Sequence, residues 1–146
     1  MPDAEQLVLH GTAVALGNRS VLVIGTSGSG KSSLALEMMV RGATLVADDR
    51  VVLSASGEKV VVSCPEPLCG LIEARGVGLL HAEYRSAVPL RLVVDMDHIE
   101  TARLPKHRSI TYLSRRFPLL HNVRSGHFPA AVLQYLRGDG RADGSR

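Results

Sequence analysis

Hydrophobic and polar positions along this chain alternate on two scales. "QLVLH" and "GTAVALG" are short apolar runs, and "VLVIG" follows them after a turn at Gly17-Asn18. These runs predict three consecutive strands, with glycine and asparagine supplying the turn chemistry. The spacing then changes. In "SSLALEMMVRG", Leu34, Met38 and Arg41 recur on one face with Ala35 and Met39 beside it, which predicts a helix with Gly42 at C′. "ATLVADD" reads as a short buried strand and "RVVLSASGEKVVVS" as a hairpin about Ser56-Gly57-Glu58. Residues 64–84 hold two prolines and three glycines, and an irregular segment is expected there. "PLRLVVDMD" predicts another buried strand, and "SITYLSRRFPLL" an edge hairpin. "FPAAVLQYLRG" predicts a helix with Pro129 at N1 and Gly138 at C′. The expected organisation is one α/β domain over residues 1–137 and a disordered polar tail, "GDGRADGSR", over the last residues.

Composition narrows the functions this pattern can serve. A chain of 146 residues with 45% hydrophobic content has enough apolar surface for one sizeable core. Aromatic residues make up only 3% and tryptophan is absent, so stacking platforms for nucleobases are hard to build. No apolar run is long enough to span a membrane, and the expectation is a soluble, cytoplasmic protein. Cys64 and Cys69 in "CPEPLC" lack the C-x-x-C spacing and are read as ordinary reduced thiols, with a disulfide as the lesser alternative. Charge is uneven: residues 1–100 carry 8 Lys/Arg against 12 Asp/Glu, and residues 101–146 carry 9 against 2. The basic end suits phosphates or an acidic partner, or forms a solvated basic face.

"GTSGSGKS" matches G-x-x-x-x-G-K-[ST] in full, after an apolar strand and before a helix. Such a loop curls its backbone N–H groups inward onto phosphate oxygens, and the helix N-terminus adds partial positive charge. Gly25, Thr26, Ser27, Gly28, Ser29, Gly30, Lys31, Ser32 and Ser33 are the candidate nucleotide-binding residues. Lys31 would reach the β- and γ-phosphates, and the Ser32 hydroxyl would ligate Mg²⁺. A plain Gly/Ser connection between strand and helix is the competing reading.

Two acidic pairs compete for the second half of the chemistry. Asp48-Asp49 ends the strand directly after the predicted helix, which returns it beside the loop. Asp95 and Asp97 end the later strand "LVVDMD". The first pair is preferred: one acid accepts the proton of an attacking hydroxyl, and the other orients its neighbour or lies near Mg²⁺ or His10. Asp95 and Asp97 are left as the end of a core strand. An acidic turn is the bland alternative for Asp48-Asp49.

"GTSGSGKSSLALEMMVRGATLVADDRVVL" resembles the catalytic domain of bacterial HPr kinase/phosphorylase. "LIEARGVGLL" is similar to that family's L-E-x-R-G-x-G signature, "LHG" stands where the family has its active-site histidine, and "ARLP" carries an aligned arginine. The resemblance implies a fold related to phosphoenolpyruvate carboxykinase, a mixed sheet with flanking helices. It implies a hexameric kinase that uses ATP and Mg²⁺ to phosphorylate a serine of the phosphocarrier HPr. By position, Asp48 is the acid-base residue, Lys31 holds phosphates, and Ser32 and Glu73 hold Mg²⁺. His10 and Arg103 line the site, with Asp49, Arg75, Gly76 and Gly78 supporting. Neither nucleic acid nor a membrane is expected as a partner.

The sequence also departs from that family. Its members are usually about twice this length. The segment tied to phosphorylase activity, P-V-x-x-G-R, is here "NVRSGHF", with Asn122 in place of the proline and His127 in place of the second arginine. The kinase direction is therefore favoured over the phosphorylase direction. Two rivals stand beside this reading: a non-catalytic ATP-binding regulator that docks an HPr-like or sensor-kinase partner, and a P-loop kinase acting on a small molecule.

Overall fold

The central strands β2, β3 and β4 and the middle of β9 are continuous apolar runs because both faces of the sheet are covered there, whereas the outer strands β1 and β10 keep exposed positions. The computed structural model describes residues 5–138, and the expected polar tail lies outside them apart from Gly138. In chain order come β1 (Gln6–His10), β2 (Thr12–Leu16), β3 (Arg19–Ile24), α1 (Lys31–Met39), β4 (Thr44–Ala47), β5 (Arg50–Ser56) and β6 (Lys59–Ser63). Then follow β7 (Leu71–Ala74), β8 (Gly78–His81), β9 (Val88–Ile99), β10 (Arg108–Tyr112), β11 (Arg115–Asn122) and α2 (Phe128–Arg137).

Nine strands form one mixed sheet whose main path runs β1-β5-β6-β9-β3-β2-β4, with β11 also on β9 and β10 on β11. The β3–β9 and β9–β11 pairs are parallel and the others antiparallel. β9 is the long central member, 12 residues. Its first residues pair with β6 and its middle with β3, through a register shift that opposes Ser20 to Leu90 but Val21 to Leu92. That shift sends Leu90 and Leu92 to opposite faces.

Period-2 alternation sorts the side chains into two cores. Val14, Val21, Val23, Leu45, Leu92 and Val94 face the helices, packing with Leu34, Met38, Val132, Leu133 and Leu136. Ala13, Ala15, Leu22, Val46, Leu53, Val62 and Val93 form the other core, which Phe117 closes. α1 buries Leu34, Ala35 and Met38, as its spacing predicts. Its C-cap is Val40, and Gly42, at φ 110°, turns the chain one position later than expected. α2 is likewise displaced by one residue, with Gly138 as the C-cap itself. Arg19 ties β3 to that end by donating to the Leu136 and Arg137 carbonyls at 2.8 and 3.0 Å.

Two expectations are corrected. The stretch from Cys64 to Tyr84 is not wholly irregular, because β7 and β8 pair as an antiparallel hairpin, Leu71 opposite His81. Gly76 in its turn and Gly78 at the start of β8 have φ of 86° and 142°, which accounts for glycines that suggested an irregular segment in the sequence. The cysteines are not free thiols: Cys64 and Cys69 form a disulfide, Cα atoms 5.3 Å apart. Six residues of a Pro-containing turn bring them within bonding reach, which the spacing rule for metal sites does not register.

Candidate active site

Three backbone segments converge at one end of the sheet: the loop after β3, the turn after β4, and β7. The loop Gly25–Gly30 takes glycine-requiring conformations at Gly25, Gly28 and Gly30, with φ of 150°, 85° and 102°. A side chain at Gly25 would also meet Ser29 Oγ at 2.6 Å and Met96 Cβ at 3.1 Å, so only glycine fits. α1 begins at Lys31 directly after the curl, aiming its N-terminus into the same space.

Lys31 is buried at 6% exposure, and its Nζ donates to the Thr26 carbonyl at 2.9 Å. Burying a lysine stem inside a loop of backbone donors is what a phosphate cradle requires. Ser29 Oγ is buried with no hydrogen-bond partner among the described residues, so the loop still has a polar group to offer an anion. Phosphate therefore fits this loop.

Asp48 closes the cradle at 7% exposure. Its Oδ1 accepts hydrogen bonds from Thr12 Oγ1 at 2.8 Å and Ser32 Oγ at 2.7 Å, and its Oδ2 accepts the Glu73 N–H at 2.9 Å. One carboxylate thus joins β2, the start of α1 and β7. Asp49 follows in the left-handed region, φ 73°, which turns its own side chain outward. Its carbonyl accepts the Gly11 N–H at 3.2 Å and faces His10 Nδ1 at 2.9 Å, with Asp49 Oδ1 at 3.4 Å from the same nitrogen. The like-charged neighbours are therefore separated, one inward and buried, the other outward against His10.

Two cavities share this carboxylate. A polar one of about 300 Å³ lies over the loop, lined by His10, Thr12, Ser27, Gly28, Gly30, Lys31, Ser32, Ser33, Asp48, Asp49, Glu73 and Arg75. A larger one of about 690 Å³ runs under the β7–β8 hairpin, lined by Leu68, Leu71, Ala74, Gly76, Val77, Gly78 and Leu79 together with Asp48, Asp49, Glu73 and Arg75. Arg75 spans the two walls: the position of a Gly28 Cβ is 3.7 Å from its Nη2. Glu73 sits on strand β7 with its side chain exposed, not on the flexible loop that its flanking glycines suggest.

The geometry gathers His10, Lys31, Ser32, Asp48, Asp49, Glu73 and Arg75. Arg103 lies exposed between β9 and β10 and lines neither cavity. Ser32, Asp48 and Glu73 are hard oxygen donors beside the cradle, the type Mg²⁺ prefers, and it is commonly held by one or two such groups plus ligand phosphates. Among the described residues no cluster of three or more His, Cys, Asp or Glu gathers.

Two contributors to the site carry no local signal in the sequence pattern. Thr12 supports Asp48 from β2. Asp97, set aside as the end of a core strand, hydrogen-bonds the phosphate loop at Thr26. A signal existed for the second: a loop leaving one parallel strand lies beside the C-terminal end of its parallel neighbour. Finding it required knowing that β9 pairs with β3.

The family model for the HPr Serine kinase C-terminal domain matches residues 3–105. HPr kinase/phosphorylase of Aromatoleum aromaticum is 38% identical over 118 residues, covering 72% of this chain and 38% of the relative. That of Exiguobacterium sp. is 30% identical over 148 residues, covering 92% and 48%. The chain thus spans less than half the length of these curated relatives. In fold it is similar to the Hpr(Ser) kinase/phosphatase structure from Coxiella burnetii, with a TM-score of 0.76 at 20% identity, covering 91% of this chain and 95% of that one. With the family model matching most of its length, the chain belongs to the HPr serine kinase C-terminal domain family.

Proposed function

We propose that this domain is an ATP- and Mg²⁺-dependent kinase whose acceptor is a serine hydroxyl of an HPr-like phosphocarrier. The observation that carries the reading is the position of Asp48, shared between the polar cavity over the phosphate loop and the larger cavity under the hairpin. A phosphoryl donor and a protein acceptor approaching from those two sides would meet at this carboxylate. Mg²⁺, when bound, would neutralise phosphate charge, held by Ser32 and Glu73.

The chain's own groups supply the rest. Lys31 releases the Thr26 carbonyl and pairs with phosphate oxygens. The loop N–H groups fix the donor in line. Asp48 is steadied by Thr12, Ser32 and the Glu73 amide, and accepts the serine proton as the serine oxygen attacks the γ-phosphorus and the bond to the departing ADP breaks. His10 and Asp49 form a polar rim, and Arg75 reaches from the hairpin toward the loop. The kinase direction is favoured over phosphorylase on the altered "NVRSGHF" segment. The assembly proposed is a homo-oligomer, a hexamer by resemblance. No helix among the described residues is long and apolar enough to cross a membrane.

The test is transfer from radiolabelled ATP to HPr, with a panel of small metabolites as competing acceptors. Label is expected on HPr. Asp48→Asn should lower the rate by about 10²- to 10⁴-fold while ADP still binds. Label on a metabolite alone would replace the protein acceptor, and ATP binding without transfer would make the domain a regulator.

A further inference from the structure

Thr26 is unusual in the phosphate loop because every polar group it owns is engaged. Its carbonyl accepts Lys31 Nζ at 2.9 Å and the Ser29 N–H at 3.0 Å. Its N–H donates to both oxygens of Asp97, at 3.1 and 2.9 Å, and its hydroxyl donates to Asp97 Oδ1 at 2.9 Å. Asp97 is itself aligned. Its N–H donates to Asp95 Oδ1 at 2.9 Å, and Asp95 Oδ2 lies 2.7 Å from His98 Nδ1. The end of β9 thus presents one carboxylate to the first turn of the loop.

The two attachments of Thr26 differ in what ligand binding does to them. A bound phosphate would compete with the Thr26 carbonyl for the Lys31 ammonium. Asp97 has no such competing duty, and it stays negative over a wide pH range. The Thr26 amide and then its hydroxyl draw its pKa below the ordinary carboxylate value against slight desolvation, with Lys31 and His98 adding to the effect. An acid at this place also repels a polyphosphate, a cost that only a positional benefit would offset.

We propose that Asp97 is a positioning residue for the phosphate loop, holding its first turn in the binding-competent shape while Lys31 transfers from Thr26 to the ligand. The proposal rests on the reading of this loop as a phosphate cradle.

The experiment measures dissociation constants of Mg·ADP and of inorganic pyrophosphate by calorimetry for wild type, Asp97→Asn, Asp97→Ala, Thr26→Val and the Asp97→Ala/Thr26→Val pair. Ligand-free melting temperatures are recorded alongside. Asp97→Ala should weaken both ligands by the same factor, about tenfold or more, the scale of a charge-assisted hydrogen bond. Asp97→Asn, which keeps one acceptor, should lose less. In the Thr26→Val background the Asp97→Ala loss should shrink, since one of the three hydrogen bonds is already gone. Melting temperatures should change little, because the carboxylate is exposed; if Asp97→Ala misfolds, Asp97→Asn and Thr26→Val carry the test. Unchanged or tighter binding in Asp97→Ala overturns the proposal and leaves the phosphate cradle standing. Failure of the wild type to bind either ligand overturns the cradle, and the proposal with it.

Discussion

The two walls that meet at Asp48 are built on opposite principles. The phosphate-loop wall is polar and fixed from several directions: glycine conformations shape it, Lys31 holds it from inside, and Asp97 holds it from the neighbouring strand. The hairpin wall is a two-stranded pair outside the main sheet, with apolar side chains turned to solvent, Val77 at 75% exposure and Leu79 at 63%. Two-stranded hairpins are marginal on their own. Small charged groups recur unchanged from one nucleotide to the next, so a preorganised wall suits them. The proposed protein acceptor would present a larger and less polar surface, which an apolar wall suits.

Measurements can break or sharpen that contrast. Gly25→Ala acts on the fixed wall alone, combining a disfavoured φ with contact on Ser29 and Met96. Strain of about 1–3 kcal/mol at such a site predicts ADP binding weaker by roughly 5- to 150-fold. Wild-type affinity in this variant would mean that the loop is not preformed. Reducing Cys64–Cys69 acts on the chain leading into the hairpin. A loop this short contributes about 2 kcal/mol by the chain-entropy relation. Dithiothreitol should therefore lower the melting temperature while leaving ADP affinity unchanged, and a matching loss of affinity would show the walls to be coupled.

Leu79→Glu probes the apolar face itself. An exposed residue here should shift stability by no more than about 0.5 kcal/mol and leave KM for ATP alone. KM for a protein acceptor should rise about tenfold if this face touches it, as a residue worth more than 1 kcal/mol in an interface would. Equal kinetics with the protein acceptor would remove the hairpin from recognition.

The smallest effect concerns pH. His121 stacks on His98 with ring centroids 5.1 Å apart. Its pKa lies below the ordinary 6.5, first through burial and then through the charges of Arg108 and His98, against Glu100 and Asp95. The unfolded chain takes the proton more readily, so this group's contribution is complete above 6.5 and declines as pH falls through the depressed value. His121→Gln should flatten the acid side of a melting-temperature profile slightly.

What the sequence made legible follows the same division. The strands of the main sheet, α1 and the phosphate loop were readable because local periodicity and one contiguous motif encode them. Asp48 was readable because only one helix separates it from the loop. Thr12 and Asp97 were not, because their roles depend on which strands lie side by side: Thr12 reaches a residue 36 positions away, and Asp97 one 71 positions away. The β7–β8 hairpin was obscured by glycines, which serve its turn yet resemble loop composition. The disulfide was obscured because two cysteines five apart carry no pattern of their own.

The long central strand has a consequence for how the molecule reaches its native state. The phosphate loop is contiguous in sequence, but the parallel partner of β3 arrives about seventy residues later, with Ser20 set against Leu90 and Ile24 against Asp95. Non-local parallel pairing is slow because chain closure precedes its reward. The loop should therefore acquire its shape late in folding, when β9 docks and Asp97 reaches Thr26. Recovery of ADP binding during refolding would then lag behind helix formation, making the ligand a kinetic reporter of sheet completion.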